Sequence, residues 1–333
     1  MAKILILVMS CNDEFFINQE KIIRETWLKP VIENKDNKFD NVDYCFYRGD
    51  VIEKHKYNKE NHLLTLRCED NIKNTFKKTY YAFKCCKKIF SDYDYIFRTN
   101  TSTYVNVELL QEFVNNVAIK DKNILWAGDL YSLSNSFCPY PLYLYGRGNG
   151  MLLSDVLVDI ILRDGLIHLY LEKCDDWMIG SILNCYWINQ GKNYLDYIRG
   201  YKHGWFKCVP EEQPNNHKVC VYGNQNKDWN FLNQFITIQV KRYRERHLEE
   251  GHYRELHEVF ENNHYESKEE LDKVIDGNVE YSKEPSVFIG SILGYTGFNE
   301  WNKCNKMQLY TYQVNHKASD DEERYNEENK IWM

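Results

Sequence analysis

Two rhythms of apolar residues run along the first half of the chain. Residues 3–9 are almost uninterruptedly apolar, as in a strand covered on both faces of a parallel sheet. Residues 18–28 then place Ile22, Ile23 and Trp27 on one helical stripe, so the opening unit is a strand followed by a helix. Further strands are predicted over 43–47, 62–66, 93–97 and 123–127, each rich in aromatic or β-branched residues and bounded by polar segments. Between two of them, over 70–90, Ile72, Phe76, Tyr80, Phe83 and Phe90 share an apolar helical face, while Lys73, Lys77, Lys84 and Lys88 supply a charged one. The alternation predicts an α/β fold, Rossmann-like, with a mostly parallel central sheet flanked by helices.

In such a sheet ligands bind beyond the carboxyl ends of the strands. Three predicted strand ends carry polar chemistry there: Ser10-Cys11-Asn12, Arg98-Thr99-Asn100-Thr101-Ser102 and Gly128-Asp129. A glycine-rich stretch, Gly146-Arg147-Gly148-Asn149-Gly150, precedes an apolar helix over 155–162 with Ser154 as its N-cap. Its GxGxG spacing is not a dinucleotide fingerprint and no Walker lysine follows, so two readings stay open: a phosphate cradle, or a loop that needs unusual backbone angles.

At 333 residues the chain has room for two domains, or for one large α/β domain with an elaborated end. The longest aliphatic run, residues 4–9, is far short of a membrane span, and the N-terminus lacks the pattern of a secretory signal. A cytoplasmic protein is therefore expected. A net charge of −7, with no basic segment, argues against a nucleic-acid partner. Eleven cysteines without a CxxC read as reduced thiols. The 26 tyrosines suggest sugar-stacking surfaces, but Asn, Lys and Ile are abundant too, so composition alone accounts for them. No GxSxG elbow or HExxH helix supports a serine hydrolase or a zinc protease.

Several segments, taken in order, resemble a known family. Ile23-Arg24-Glu25-Thr26-Trp27 is similar to the IRxTW signature of the β1,3-galactosyltransferase and Fringe-like glycosyltransferases. Residues 70–79 resemble that family's DxYxNLTLKT helix, and 93–98 the strand leading to its metal motif. Thr103-Tyr104-Val105-Asn106 resembles TFVN; Tyr140-Pro141 and residues 148–154 resemble its YP and GxGYxLS segments; and residues 174–180 resemble EDVxxG. The matches span residues 4–180.

The resemblance implies a GT-A fold, a nucleotide-sugar donor (a UDP-hexose, galactose favoured), a glycan acceptor, and transfer with inversion at the anomeric carbon. It implies Asp176 as the general base, with Asp175 orienting neighbouring backbone or donor hydroxyls. Read without the family, the two are an acidic pair at a helix N-terminus, stabilised by the macrodipole. Where relatives carry DxD, this chain has Asn100-Thr101-Ser102, neutral groups that are poor ligands for Mg²⁺ or Mn²⁺. Three consequences follow in order of expectation. The diphosphate is neutralised by side chains, with Arg98, Arg24, Lys78 and Arg147 as candidates; or a metal binds through other ligands; or catalysis has been lost, leaving a scaffold or a glycan-binding protein. Asn100 and Ser102 can still hydrogen-bond ribose or phosphate oxygens. With Ser10, Thr101, Gly148 and Gly150, these residues make up the expected donor site. Arg24 has a second reading as a helix-packing residue, and Lys78 as one more surface lysine.

Beyond about residue 207 the resemblance fades. A strand is predicted over 235–240, a charged helix over 243–260, and a capping box at Ser267-Lys268-Glu269-Glu270 opening a helix to 275. Residues 288–295 alternate apolar residues with Gly and Ser, and the acidic tail 320–328 reads as solvated. With no linker in between, residues 1–206 read as the catalytic domain. Residues 207–333 read as an α+β extension packed on it, serving the acceptor side or assembly, with an independent domain as the alternative. His247, His252 and His257 recur every five residues, about 500° apart on a helix, so they are splayed and expected at the surface. Trp205, Trp229, Trp301 and Tyr295 read as sugar platforms or core, and His203 and His217 carry no role. The expected activity is that of a glycosyltransferase building a bacterial or viral glycan from the cytoplasmic side (the host cytoplasm if viral), with homo-oligomerisation left open.

Overall fold

Leu5, Ile6, Leu7 and Val8 have no exposed surface, because β1 (Ile4–Met9) has strands along both edges and helices over both faces. The computed structural model describes residues 1–52, 54–90, 92–116, 126–132, 144–169, 174–189, 198–199, 229–233, 235–240, 246–271 and 273. In chain order β1 is followed by α1 (Glu14–Glu25), α2 (Lys29–Glu33), β2 (Val42–Asp50), β3 (Lys56–Asn58), β4 (Leu63–Arg67), α3 (Thr75–Ile89), β5 (Tyr95–Asn100) and β6 (Thr103–Val105). Then come α4 (Val107–Asn116), β7 (Trp126–Ser132), β8 (Leu144–Ser154), α5 (Asp155–Asp164), α6 (Asp175–Asn189), β9 (Ile198–Arg199), α7 (Trp229–Leu232), β10 (Thr237–Gln239) and α8 (Glu249–Asn262). Among the described residues, no helix is long and apolar enough to cross a membrane.

The main sheet has the order β3-β4-β2-β1-β5-β8-β7-β9. Its centre, β4-β2-β1-β5, is parallel, and β3 and β8 run antiparallel to their neighbours. The fold is the expected α/β one, a sheet parallel at its core and flanked by helices. Alternate residues of β1 face opposite layers. Ile4, Ile6 and Val8 join Ile22 and Ile23 of α1, Leu110 and Phe113 of α4, and Tyr253 and Leu256 of α8. Leu5 and Leu7 join Phe76 and Phe83 of α3, Leu157 and Ile161 of α5, and Ile179 of α6. The chain leaves β1 through α1 toward β2 and returns through α3, on the other face, to β5 on the opposite edge of β1. The strand order therefore switches between β1 and β5, where a doubly wound sheet opens its ligand crevice at the carboxyl ends.

Local chemistry moves several boundaries. Helix α1 starts four residues before the predicted 18 because Asp13 caps it, accepting from Phe15 N at 2.9 Å. At the start of the 70–90 helix, Asn71 accepts from Lys73 N and Asn74 N and holds 72–74 in a 3₁₀ turn. That turn leaves Ile72 75% exposed, off the apolar face on which the sequence reading placed it. Helix α4 follows Asn106, whose Oδ1 accepts from Leu109 N at 3.1 Å, and has no counterpart in the sequence reading.

The glycine-rich stretch is not a loop. Residues 146–150 belong to β8, paired antiparallel with β5 and β7. A Cβ at Gly148 would stand 2.9 Å from Arg98 Nη1, and one at Gly150 would stand 2.7 Å from Thr237 Cγ2 and 2.9 Å from Phe97 Cζ. The glycines are needed for close approach and not for unusual angles. Gly150→Ala is expected to lower stability by about 1–3 kcal/mol, because neither the Thr237 methyl nor the Phe97 ring can withdraw. An unchanged denaturation midpoint would refute this.

The described part of the C-terminal extension lies against the same core. β10 pairs antiparallel with β6, and Asn106 N and Val240 N donate to Ile236 O and Ser102 O at its two ends. Glu270 N donates to Ser267 Oγ at 3.2 Å, the first half of the predicted capping box. His252 is 7% exposed, contrary to its expected surface position, because that face of α8 packs on the sheet; His247 is exposed. Residues 140–141, 203, 205, 217, 288–295, 301 and 320–328 lie outside the described residues, as does the side chain of Arg147.

Candidate active site

The crevice end of β5 is organised around a buried arginine. Arg98 is 1% exposed, and a buried guanidinium persists only with a carboxylate and further acceptors around it. Its Nη2 lies 2.5 Å from Asp175 Oδ2, and its Nη1 donates to Gly148 O at 2.8 Å. Thr79 of α3 donates to the same Asp175 oxygen at 2.8 Å, and Tyr47 of β2 lies 2.9 Å from Thr79 Oγ1. Burial pushes the Tyr47 phenol up to about 12, so it stays protonated and donates to Thr79. Burial works against the charge of Arg98, but Asp175, with Tyr47 and Asp176 behind it, outweighs that and raises its pKa. Asp175 is thus consumed in holding Arg98 and Thr79.

A second buried cation closes the tip of β1. Lys78 belongs to the lysine-rich α3, yet it has no exposed surface. Its Nζ donates to Ser10 O at 3.0 Å and pairs with Asp70 Oδ1 at 2.5 Å. Asp70 Oδ2 in turn accepts from Asn12 N, so one carboxylate ties α3 to the turn after β1. Lys78 is not the surface lysine of its second reading.

Asn100, Thr101 and Ser102 form the turn from β5 to β6. Asn100 Nδ2 donates to Gly148 O at 2.6 Å, and its Oδ1 accepts from Ser102 N at 2.8 Å and from Thr103 Oγ1 at 3.1 Å. Thr101 O accepts from Tyr253 of α8, and Ser102 Oγ accepts from Arg246 Nη2 at 2.9 Å. These residues do not fit a divalent cation. The turn offers no carboxylate, the Asn100 oxygen is already used twice, and a guanidinium lies against the third position. Among the described residues, no three His, Cys, Asp or Glu side chains are grouped as a metal site.

Asp176 follows Asp175 at the N-terminus of α6 and is half-buried. Its Oδ1 accepts from Trp177 N at 2.8 Å. Burial, reinforced by the charge of Asp175 and only partly opposed by Arg98, pushes its carboxyl up to about 6. Burial and the Asp175 charge also outweigh the backbone donor Trp177 N, which favours the anion. A carboxylate tuned toward neutral pH suits a general base, because it is ionised at pH 7 and still holds a proton well.

No family model matches the chain, and no curated protein matches it. Among solved structures it is similar to a glycosyltransferase involved in the glycosylation of the major capsid of PBCV-1. That match has a TM-score of 0.39 and 10% identity over 76% of this chain and 98% of that one. It is also similar to an active-site mutant of LgtC, with a TM-score of 0.31 and 11% identity over 80% of this chain and 98% of that one. Likenesses this distant assign neither family nor activity.

The structure brings Ser10, Lys78, Arg98, Asn100, Thr101, Ser102, Gly148, Asp175 and Asp176 to one end of the sheet, with Gly150 further along β8. Arg24 stands apart. It donates to Tyr44 Oη at 3.2 Å and to Asn61 O, with its guanidinium 4.4 Å from the Phe46 ring centre, toward the amino ends of β2 and β4. This is its helix-packing reading, at the end of the sheet away from the crevice. Sequence reasoning passed over Tyr47, Thr79 and Arg246. Thr79 lay inside a quoted motif, whereas Arg246 belonged to a segment with no motif.

Proposed function

We propose that the chain is an inverting GT-A glycosyltransferase that moves a hexose from a UDP-sugar, UDP-galactose favoured, to a hydroxyl of a glycan on the cytoplasmic side. One observation supports this most. Asp70, Arg98 and Asp176, from three segments resembling glycosyltransferase motifs, converge at the switch between β1 and β5, where Asp176 presents a half-buried carboxylate with a raised pKa.

In this reading Asp176 takes the proton of the acceptor hydroxyl as its oxygen bonds to the anomeric carbon. The bond from that carbon to the diphosphate breaks on the opposite face, and the diphosphate leaves with the electron pair. Asp175, Arg98, Thr79 and Tyr47 position Asp176 and the turn after β5, and Lys78 and Asp70 hold the tip of β1. Asn100, bound to its own turn and to Gly148, and Ser102, bound to Arg246, favour a reaction that needs no metal.

The test is a calorimetric panel of UDP, GDP, CMP and UDP-sugars, run with EDTA and again with Mn²⁺, followed by a transfer assay on glycan acceptors. UDP binding undiminished by EDTA is the expected result. Binding only with Mn²⁺ would sink the metal-free site, and no nucleotide binding in either condition would sink the transferase. The loss of every carboxylate at 100–102 favours a second reading, an inactive GT-A scaffold. That reading predicts nucleotide binding without turnover of any UDP-sugar.

A further inference from the structure

We propose that Arg246 is the cation that meets the donor diphosphate, standing where a metal held at 100–102 would act; this rests on the transferase reading above. Of the four cations that the sequence offers, Arg98 and Lys78 are each 1% exposed in their side chains and locked onto Asp175 and Asp70, Arg24 stands at the other end of the sheet, and the side chain of Arg147 lies outside the described residues. Arg246 is different. Its side chain is 30% exposed at the same end of the sheet, and its Nη2 donates to Ser102 Oγ at 2.9 Å.

Its orientation is set on three sides. Nε and Nη2 form a fork on Glu249, at 2.9 and 3.2 Å, and that carboxylate is fully buried. The guanidinium carbon lies 4.5 Å from the ring centre of Phe15 and 5.1 Å from that of Phe16, in the first turn of α1 above the tip of β1. A guanidinium has five N–H donors, and these bonds use three. The two N–H groups of Nη1 donate to none of the described residues, and charged N–H donors of this kind are suited to phosphate oxygens. Glu249 occupies one edge and the aromatic rings restrict the plane, so the free edge is held in place before any ligand arrives. A lysine would lack both the fork and the stacking.

The experiment is calorimetry in EDTA with UDP and uridine, and with GDP and guanosine in parallel, on the full chain and on Arg246→Gln, Arg246→Lys and Arg246→Gln/Glu249→Gln. The double variant removes the buried carboxylate that faces Arg246, so its melting temperature should return toward that of the parent. The expected result is a 10- to 100-fold loss of diphosphate affinity in both glutamine variants, a smaller loss in Arg246→Lys, and unchanged binding of the nucleoside. Equal losses for nucleoside and diphosphate would overturn the proposal by showing a purely structural arginine, as would undiminished UDP or GDP binding. If the parent chain binds neither compound of either pair, the transferase reading itself fails and takes this proposal with it.

Discussion

Asp176→Asn loses on the order of 10²–10⁴-fold in transfer rate, the usual contribution of a positioned general base, and at neutral pH it melts at a higher temperature than the parent. Both effects come from one carboxylate. On the proposed transferase reading, kcat/KM of the parent is expected to rise with pH through an apparent pKa near 6 and then level, because a base accepts the proton only when ionised. The stability effect has the opposite sign. The folded-state pKa of about 6 lies above the ordinary 3.8, so the folded protein holds this proton more tightly than the unfolded chain does. Stability is greatest below pH 3.8 and is lost as pH rises through 6, by a total of order 1–3 kcal/mol above that. Asparagine removes the loss, so the variant gains several degrees at pH 7–8 and nothing near pH 4. Activity at pH 7 retained within a factor of a few would exclude Asp176 as the base. A melting difference independent of pH would exclude burial of its charge as the cause.

Arg98→Met is expected to cost about 3–5 kcal/mol, the largest single-site loss of stability predicted for this molecule. Removing the guanidinium leaves the Asp175 carboxylate, 3% exposed, with Thr79 as its remaining side-chain donor among the described residues, in a layer of apolar side chains from α3, α5 and α6. Asp175→Asn strands the opposite charge and should cost a similar amount. The pair Arg98→Met/Asp175→Asn should recover much of either loss, because no unpaired charge remains. Denaturant titration of the four proteins forms a double-mutant cycle. A coupling near zero would show that Arg98 and Asp175 are held by their separate contacts and not by each other.

Much of the fold was legible because it depends on local periodicity. The apolar run of β1, the β-rich segments of β2, β4 and β5, and the striped helix α3 all report which side chains leave water, and burial follows such patterns closely. β8 was not legible, because glycines at 146, 148 and 150 read as turn chemistry. At 148 and 150 the strand needs glycine because Arg98, Phe97 and Thr237 on other strands take up the room, a demand that no window along the chain contains. α4 went unread because its cap is the Asn106 that also ends β6, and the boundary between them depends on pairing with β10.

The candidate site divides along the same line. By itself the sequence determined the α/β alternation, the two helical layers, and the candidate polar residues of the crevice, Arg98 on β5, Lys78 on α3 and Asp175 and Asp176 at the start of α6. Only the tertiary structure decided which of the charges are already matched. It buried Lys78 on Asp70 and Arg98 on Asp175, placed Arg24 at the wrong end of the sheet, and brought Arg246 to Ser102 across 144 residues of chain. The reason is physical. A side chain's hydrophobicity belongs to the residue, whereas the state and reach of a charge depend on the partner that folding brings to it.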